Sequence, residues 1–183
     1  MIAAIAAVAE NGMLGQNNWL PWDIPEELAY FERMVEGAAV LVGRSTYESM
    51  VVVSPDTFVL TRDPGYVVRP GCFRVHSVAD GLLQAVATGK RVFVIGGASV
   101  YAAAWPYCQA LYLTRIAIEC TGDTRWPENI PLASWRLLRE RTENYLDRRS
   151  GTRVACRFLH YEQPTPLALS GHAAANHCQT GCE

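Results

Sequence analysis

Asn17-Asn18-Trp19-Leu20-Pro21-Trp22-Asp23-Ile24-Pro25-Glu26-Glu27-Leu28-Ala29-Tyr30-Phe31 reads as a loop that runs straight into a helix. Pro21 and Pro25 disfavour helix at the residues before them. Pro25 suits a first helical position, because its missing N–H would have no partner there, so Asp23 or Ile24 marks the boundary. From Pro25 to about Val35 the apolar residues Leu28, Phe31 and Val35 recur at helical spacing, and Tyr30 and Met34 widen that face. Glu27 lies three residues before Tyr30 and four before Phe31, on the same side of the helix. Two readings stand side by side. An acid in a first turn can complement the helix dipole and stay wet. A carboxylate beside Phe31 and Met34 can instead be the polar group at the bottom of an apolar pocket. The rest of the chain favours the second.

The 183 residues fit one domain, or one domain and a tail. Half are hydrophobic and 19% are charged, an ordinary globular balance, and the net charge of -2 gives no support to a nucleic-acid or anionic-membrane partner. Lys90 is the only lysine. Residues 1–9 are apolar but too short to span a bilayer and lack the basic start of a signal peptide. A buried first strand in a cytoplasmic protein is the expectation. Cys72, Cys108, Cys120, Cys156, Cys178 and Cys182 are spread without a paired framework, so free thiols are expected. His172, His177, Cys178 and Cys182 can be drawn as a metal site, but a polar His/Cys tail matches such patterns by chance; no metal is expected.

In order, residues 2–9 form a strand buried on both faces, as at the centre of a mostly parallel sheet. Residues 10–24 are a long loop of the kind that serves as a lid. Residues 39–43 are a short strand, and Arg44-Ser45-Thr46-Tyr47-Glu48-Ser49 opens a helix directly from Gly43. Strand, glycine and helix N-terminus together make a seat for a phosphate. Residues 58–62 are a strand, 78–87 a helix, and 91–95 a strand ending at Gly96-Gly97. Residues 98–104 are a helix, which completes a second such seat; the glycine pair lets a ligand approach the backbone closely. Residues 111–116, 135–143 and 153–161 are strands, the last two antiparallel with a turn near Ser150-Gly151. From Gln163 the chain has no apolar periodicity and is expected to be a disordered, dispensable tail. Residues 1–162 thus form one α/β domain with ligands at the carboxyl ends of its strands. No complete Gly-x-Gly-x-x-Gly follows the first strand, so the standard dinucleotide-binding fold is not indicated.

The chain resembles dihydrofolate reductase over residues 1–162. The matching stretches are Leu14-Gly15, Asn18-x-Leu20-Pro21-Trp22, Pro25-x-Glu27-Leu28-x-x-Phe31, Gly43-Arg44-x-Thr46-Tyr47-Glu48-Ser49, Leu60-Thr61-Arg62, Ile95-Gly96-Gly97-x-x-Val100-Tyr101, Tyr112-Leu113-Thr114-Arg115-Ile116 and Gly122-Asp123-Thr124. The resemblance implies an open, mostly parallel sheet with an antiparallel C-terminal strand and flanking helices. It implies reduction of a 7,8-dihydropterin by NADPH, with NADH as the alternative, in a monomer. Glu27 would be the catalytic carboxylate that holds the pterin, and Trp22 and Thr114 would orient water and that carboxylate. Ile5, Ala7, Leu28, Phe31, Met50 and Ile95 would line the pterin pocket. The cofactor would lie against Ala7, Leu14, Gly15 and Asn18; against Gly43, Arg44, Ser45 and Thr46; against Leu60, Thr61, Arg62 and His76; and against Gly96, Gly97, Ala98, Ser99, Val100, Tyr101 and Thr124. Arg44, Thr61, Arg62 and His76 would surround the adenosine ribose and favour a 2′-phosphate.

The chain departs from the family pattern in one place. The family's Gly-Arg-Pro-Leu-Pro-Gly-Arg segment, whose last Arg clamps the α-carboxylate of the substrate's glutamate, is replaced by Met50-Val51-Val52-Val53-Ser54-Pro55-Asp56-Thr57. An acid at that place would repel a carboxylate. The expectation therefore leans slightly to dihydromethanopterin, with dihydrofolate and a stand-in such as Arg33 as the alternative. A riboflavin-pathway reductase domain shares the architecture but lacks the Trp-x-x-Pro-x-Glu pattern, and a non-catalytic relic would have no reason to keep Glu27, Trp22 and both phosphate seats together.

Overall fold

A computed structural model describes residues 1–128 and 130–169. The elements are β1 (Ile2–Ala9), β2 (Met13–Gly15), α1 (Pro25–Val35), β3 (Ala39–Gly43), α2 (Arg44–Ser49), β4 (Thr57–Leu60), β5 (Cys72–Val75), α3 (Val78–Ala87), β6 (Val92–Val94) and α4 (Ala98–Ala104). A 3-10 turn (Trp105–Tyr107), β7 (Ala110–Ile116), β8 (Thr124–Arg125), β9 (Arg136–Asp147) and β10 (Thr152–Glu162) follow. Eight strands form one open sheet in the order β5-β4-β3-β6-β1-β7-β10-β9. β1 pairs in parallel with β6 and β7, β3 pairs in parallel with β4 and β6, and β10 runs antiparallel between β7 and β9. The expected sheet, parallel at its centre and antiparallel at its C-terminal edge, is the one observed.

Alternation along β1 divides the core. Ala4, Ala6 and Val8 face a cluster with Leu82 and Ala85 of α3 and Val100, Tyr101 and Ala104 of α4. Ala3 and Ile5 face the opposite cluster, against which Phe31 and Met34 of α1 pack, with Tyr47 of α2. Helices on both faces of a parallel centre put the carboxyl ends of β1, β3, β4 and β6 at one rim, where such sheets bind ligands.

Residues 10–24 are not wholly irregular: β2 pairs with β8 in a two-stranded ribbon. Three residues paired with a partner about a hundred positions away leave no local signal. β5 is likewise absent from the sequence reading; it is an edge strand with Phe73 and Arg74 exposed. β9 runs to Asp147 because an edge strand wet on both faces keeps no alternation to mark its end.

The end of the 10–24 segment is bolted to the β9–β10 turn. The buried Asp147 carboxylate accepts the backbone N–H groups of Asp23 (2.8 Å), Arg149 (3.1 Å) and Ser150 (3.3 Å), and Arg148 N–H donates to the Asp23 carbonyl. Burial raises the Asp147 pKa, but these donors outweigh it and hold the carboxyl below its ordinary value.

Residues 163–169 of the expected tail lie along the domain. Gln163 N–H donates to Gln109, Leu167 N–H donates to Pro106, and Leu169 packs against the core. The remaining tail and its His172, His177, Cys178 and Cys182 lie outside the described residues. Among the described residues Cys72, Cys108, Cys120 and Cys156 are free, no cluster of His, Cys, Asp and Glu is arranged to hold a metal, and no helix is long and apolar enough to cross a membrane.

Asp147→Ala strands three N–H groups and is expected to cost about 1–3 kcal/mol. The native contribution is present above the ordinary carboxylate range, about pH 4, and is lost as pH falls through the lowered pKa. Urea unfolding at pH 7 checks it, and an unchanged midpoint would refute the anchor.

Candidate active site

Pro25 starts α1 with Ile24 in an extended N-cap and no side-chain cap. Glu27 is the one buried residue of this helix, at 4% exposure. The helix thus turns a carboxylate, rather than an apolar side chain, most deeply inward. No cation pairs with it among the described residues. Burial pushes its pKa up to about 7, against a hydrogen bond from the Thr114 side chain that lowers it. Thr114, itself 1% exposed, is beside Ala7 on β1 and Phe158 on β10 by strand register.

Around this carboxylate, Ile5 and Ile95 belong to the cluster against which Phe31 and Met50 pack, and Trp22 belongs to the cluster against which Ala7 packs. The structure therefore brings these predicted wall residues together on one face. Leu28 differs: it is 46% exposed at the outer edge of α1. The indole N–H of Trp22 is buried without a hydrogen-bond partner among the described residues, which marks a place for a polar group of a ligand or water.

The two glycine-led helices meet at the rim. Gly43 N–H donates to the Gly96 carbonyl at 2.7 Å. A Cβ on Gly43 would approach Val100 Cγ2 to 3.1 Å, and Gly96 has φ +127, so neither position admits a side chain without strain. The Gly96–Gly97 peptide is cis. Neither α2 nor α4 has a side-chain cap on its first turn, and ideal Cβ positions at Gly96 and Gly97 lie 3.7 and 3.6 Å from Thr46 Oγ1. Free N–H groups of Ser45, Thr46, Ala98 and Ser99, with no side chain in the way, suit a diphosphate. The Tyr101 hydroxyl donates to the Ile5 carbonyl at 2.6 Å, which ties this rim to the carboxylate's pocket.

Thr61, Arg62 and His76 also converge. Thr61 is buried at the end of β4 beyond Leu60, His76 Nδ1 lies 3.0 Å from the Thr61 carbonyl, and Arg62 is exposed beside them. Arg44 is already engaged, at 2.7 Å from Glu48 and 3.2 Å from Asp63, with its guanidinium 4.2 Å from the Tyr66 ring centroid. Exposed pairs of this kind are worth at most about 1 kcal/mol, so a phosphate can displace them. Leu14, Gly15 and Asn18 lie in the 10–24 segment, and Thr124 lies on β8 beside it. Thr124 pairs with Gly15, Asp123 accepts Asn17 N–H, and a Cβ on Gly122 would strike the Gly15 carbonyl at 2.5 Å.

A family model described as dihydrofolate reductase matches residues 1–163. The chain belongs to the dihydrofolate reductase family. The dihydrofolate reductase of Bacillus subtilis (strain 168) is 36% identical over 140 residues, 75% of this chain and 82% of that one. That of Neisseria gonorrhoeae is 36% identical over 163 residues, 87% and 96% of the two chains. Dihydrofolate reductase from Enterococcus faecalis, solved complexed with NADP(H) and RAB-propyl, superimposes with a TM-score of 0.78 at 30% identity, covering 90% of this chain and 96% of that one.

The anti-folate reading of Asp56 is corrected here. Its carboxylate pairs with Lys90 at 2.5 Å, where the chain enters β4 and β6. A neutralised acid does not repel a substrate's carboxylate. Sequence reasoning missed Asp147, whose signal is the Asp-x-x-Ser-Gly turn pattern that gathers backbone N–H groups.

Because Glu27's folded pKa, about 7, exceeds its model value of 4.5, the folded state binds the extra proton between those values. Stability then falls as pH rises across that window, by roughly 3 kcal/mol in full above it. Glu27→Gln is expected to stabilise the protein relative to wild type at pH 8 and much less at pH 5. Thermal melts at both pH values check this, and an equal effect at both would refute the buried, uncompensated carboxylate.

Proposed function

We propose that this protein reduces 7,8-dihydrofolate to tetrahydrofolate with NADPH. The observation that carries the proposal is the buried, cation-free carboxylate of Glu27, held by Thr114, in a chain whose named relatives are dihydrofolate reductases. The pterin's 2-amino group and N3 present two parallel donors, and a carboxylate accepts both in one charge-assisted pair. Ile5, Ala7, Phe31, Met50 and Ile95 would enclose the ring and exclude water, which strengthens that pair, with the exposed Leu28 left at the mouth. With a pKa near 7, Glu27 can exchange protons near neutrality. Trp22 N–H would orient the water that delivers a proton to N5 by way of the pterin O4.

The backbone at Gly43, Ser45, Thr46, Gly96, Gly97, Ala98 and Ser99, with Arg44, would hold the cofactor's diphosphate. Val100 and Tyr101 would flank its ring. Leu60, Thr61, Arg62 and His76 would receive the adenosine ribose and its 2′-phosphate, and Leu14, Gly15, Asn18 and Thr124 would cover it from the lid. NADPH, when bound, supplies the hydride that reaches C6.

The lean to dihydromethanopterin finds no support in the relatives, and the Lys90 pair removes the repulsion on which it partly rested. Parallel assays with NADPH are expected to give a higher kcat/KM for dihydrofolate than for dihydromethanopterin; the reverse order would overturn the proposal. Glu27→Gln is expected to keep NADPH binding and lose on the order of a hundredfold or more in turnover. Arg62→Ala should weaken NADPH about tenfold to a hundredfold while sparing NADH. Equal losses for both cofactors would show that Arg62 does not read the phosphate.

A further inference from the structure

We propose that Arg69 holds the carboxylate end of the dihydrofolate tail, from the β4–β5 connection rather than from the segment that lacks an Arg. This rests on the dihydrofolate reading. Dihydrofolate carries an aminobenzoyl group and a glutamate beyond its pterin. In the family that the chain resembles, the segment after α2 carries the clamp for that glutamate, so a pterin seated at Glu27, with Phe31 and Met50 packed on the same cluster, would send its anionic tail toward this segment.

The structure brings Arg69 to that segment. β4 and β5 pair in parallel with Thr57 opposite Cys72, and Asp56 N–H donates to the Gly71 carbonyl at 3.0 Å. A Cβ on Gly71 would lie 3.7 Å from Pro55 Cα. Gly71 therefore lies beside Pro55 and Asp56, and Cys72 N–H donates to the Arg69 carbonyl at 3.0 Å, closing a turn that sets Arg69 against the end of α2. Its backbone N–H is fixed by the Tyr47 hydroxyl at 2.7 Å. Its guanidinium lies 5.2 Å from the Tyr47 ring centroid, and Nη1 is 3.5 Å from the Val51 carbonyl. The side chain is exposed, and among the described residues no carboxylate pairs with it. A planar cation laid on an aromatic ring, with free N–H groups and little freedom left to lose, suits a carboxylate.

The other cations near this face are less available. Lys90 is paired with Asp56 at the start of β4 and β6, Arg44 stands at the proposed diphosphate seat, and Arg91 donates to the Met34 carbonyl. Arg33, exposed in the last turn of α1, is the remaining competitor.

The test compares wild type, Arg69→Ala, Arg69→Lys and Arg33→Ala on two substrates, dihydrofolate and 6-hydroxymethyl-7,8-dihydropterin, which has no carboxylate. Arg69→Ala is expected to raise KM for dihydrofolate about tenfold to a hundredfold, with kcat little changed and KM for the short pterin unchanged. Arg69→Lys should recover part of the loss, and Arg33→Ala should change neither substrate. Should Arg69→Ala melt early, Arg69→Gln, which keeps the length without the charge, takes its place. An unchanged KM for dihydrofolate, a rise for both substrates together, or a loss that follows Arg33 instead would overturn the assignment while leaving the dihydrofolate reading intact. A wild-type protein that reduces the short pterin but not dihydrofolate would overturn both.

Discussion

The burial of Glu27, with no cation paired to it among the described residues, is the constraint on which the site depends. Removing a carboxylate from water costs several kcal/mol unless a partner offsets it, and among the described residues the neighbouring Thr114 side chain offsets it in part while no cation does. What keeps the group in place is the helix that carries it. Tyr30, Phe31, Met34 and Val35 pack that helix on the sheet, Pro25 fixes its start, and Asp147 holds Asp23 just upstream. The apolar contacts thus overcome the preference of one group to be wet, and a ligand that brings two donors recovers the cost.

Backbone geometry dominates the rim. Gly43 and Gly96 touch through a hydrogen bond and leave no space for side chains, so the donors offered there are peptide N–H groups rather than cations. The Tyr101 hydroxyl on the Ile5 carbonyl joins α4 to β1 across the sheet's centre. One residue therefore belongs both to the helix behind the phosphate seats and to the wall of the carboxylate's pocket. Two rings seated as proposed on these two surfaces would share a single rigid support, which is what proximity catalysis asks of a protein.

Much of this was legible in the chain because it is written locally. A strand, a glycine and a helix start are contiguous at Gly43 and again at Gly96, and the Pro21-to-Phe31 stretch carries its own punctuation. What was not legible depends on partners distant in sequence. β2 exists only because β8 pairs with it, and β5 is an edge without alternation. Asp56 reads as a free acid until the fold brings Lys90, 34 residues away, to its carboxylate. Arg69 has the same history: nothing in its neighbours points to Val51, and the Tyr47 hydroxyl that takes its backbone N–H creates the encounter.

The Lys90–Asp56 pair also makes the molecule easy to address chemically. With a single lysine in 183 residues, an amine-directed reagent meets one side chain and the terminal amine. A dye or surface linker carried by Lys90 sits at the entrance to β6 rather than at the glycine rim. The same acylation erases a charge, so it frees Asp56 as an anion. Labelling would then create, in a protein of unchanged sequence, the unpaired acid that the primary structure appeared to contain all along.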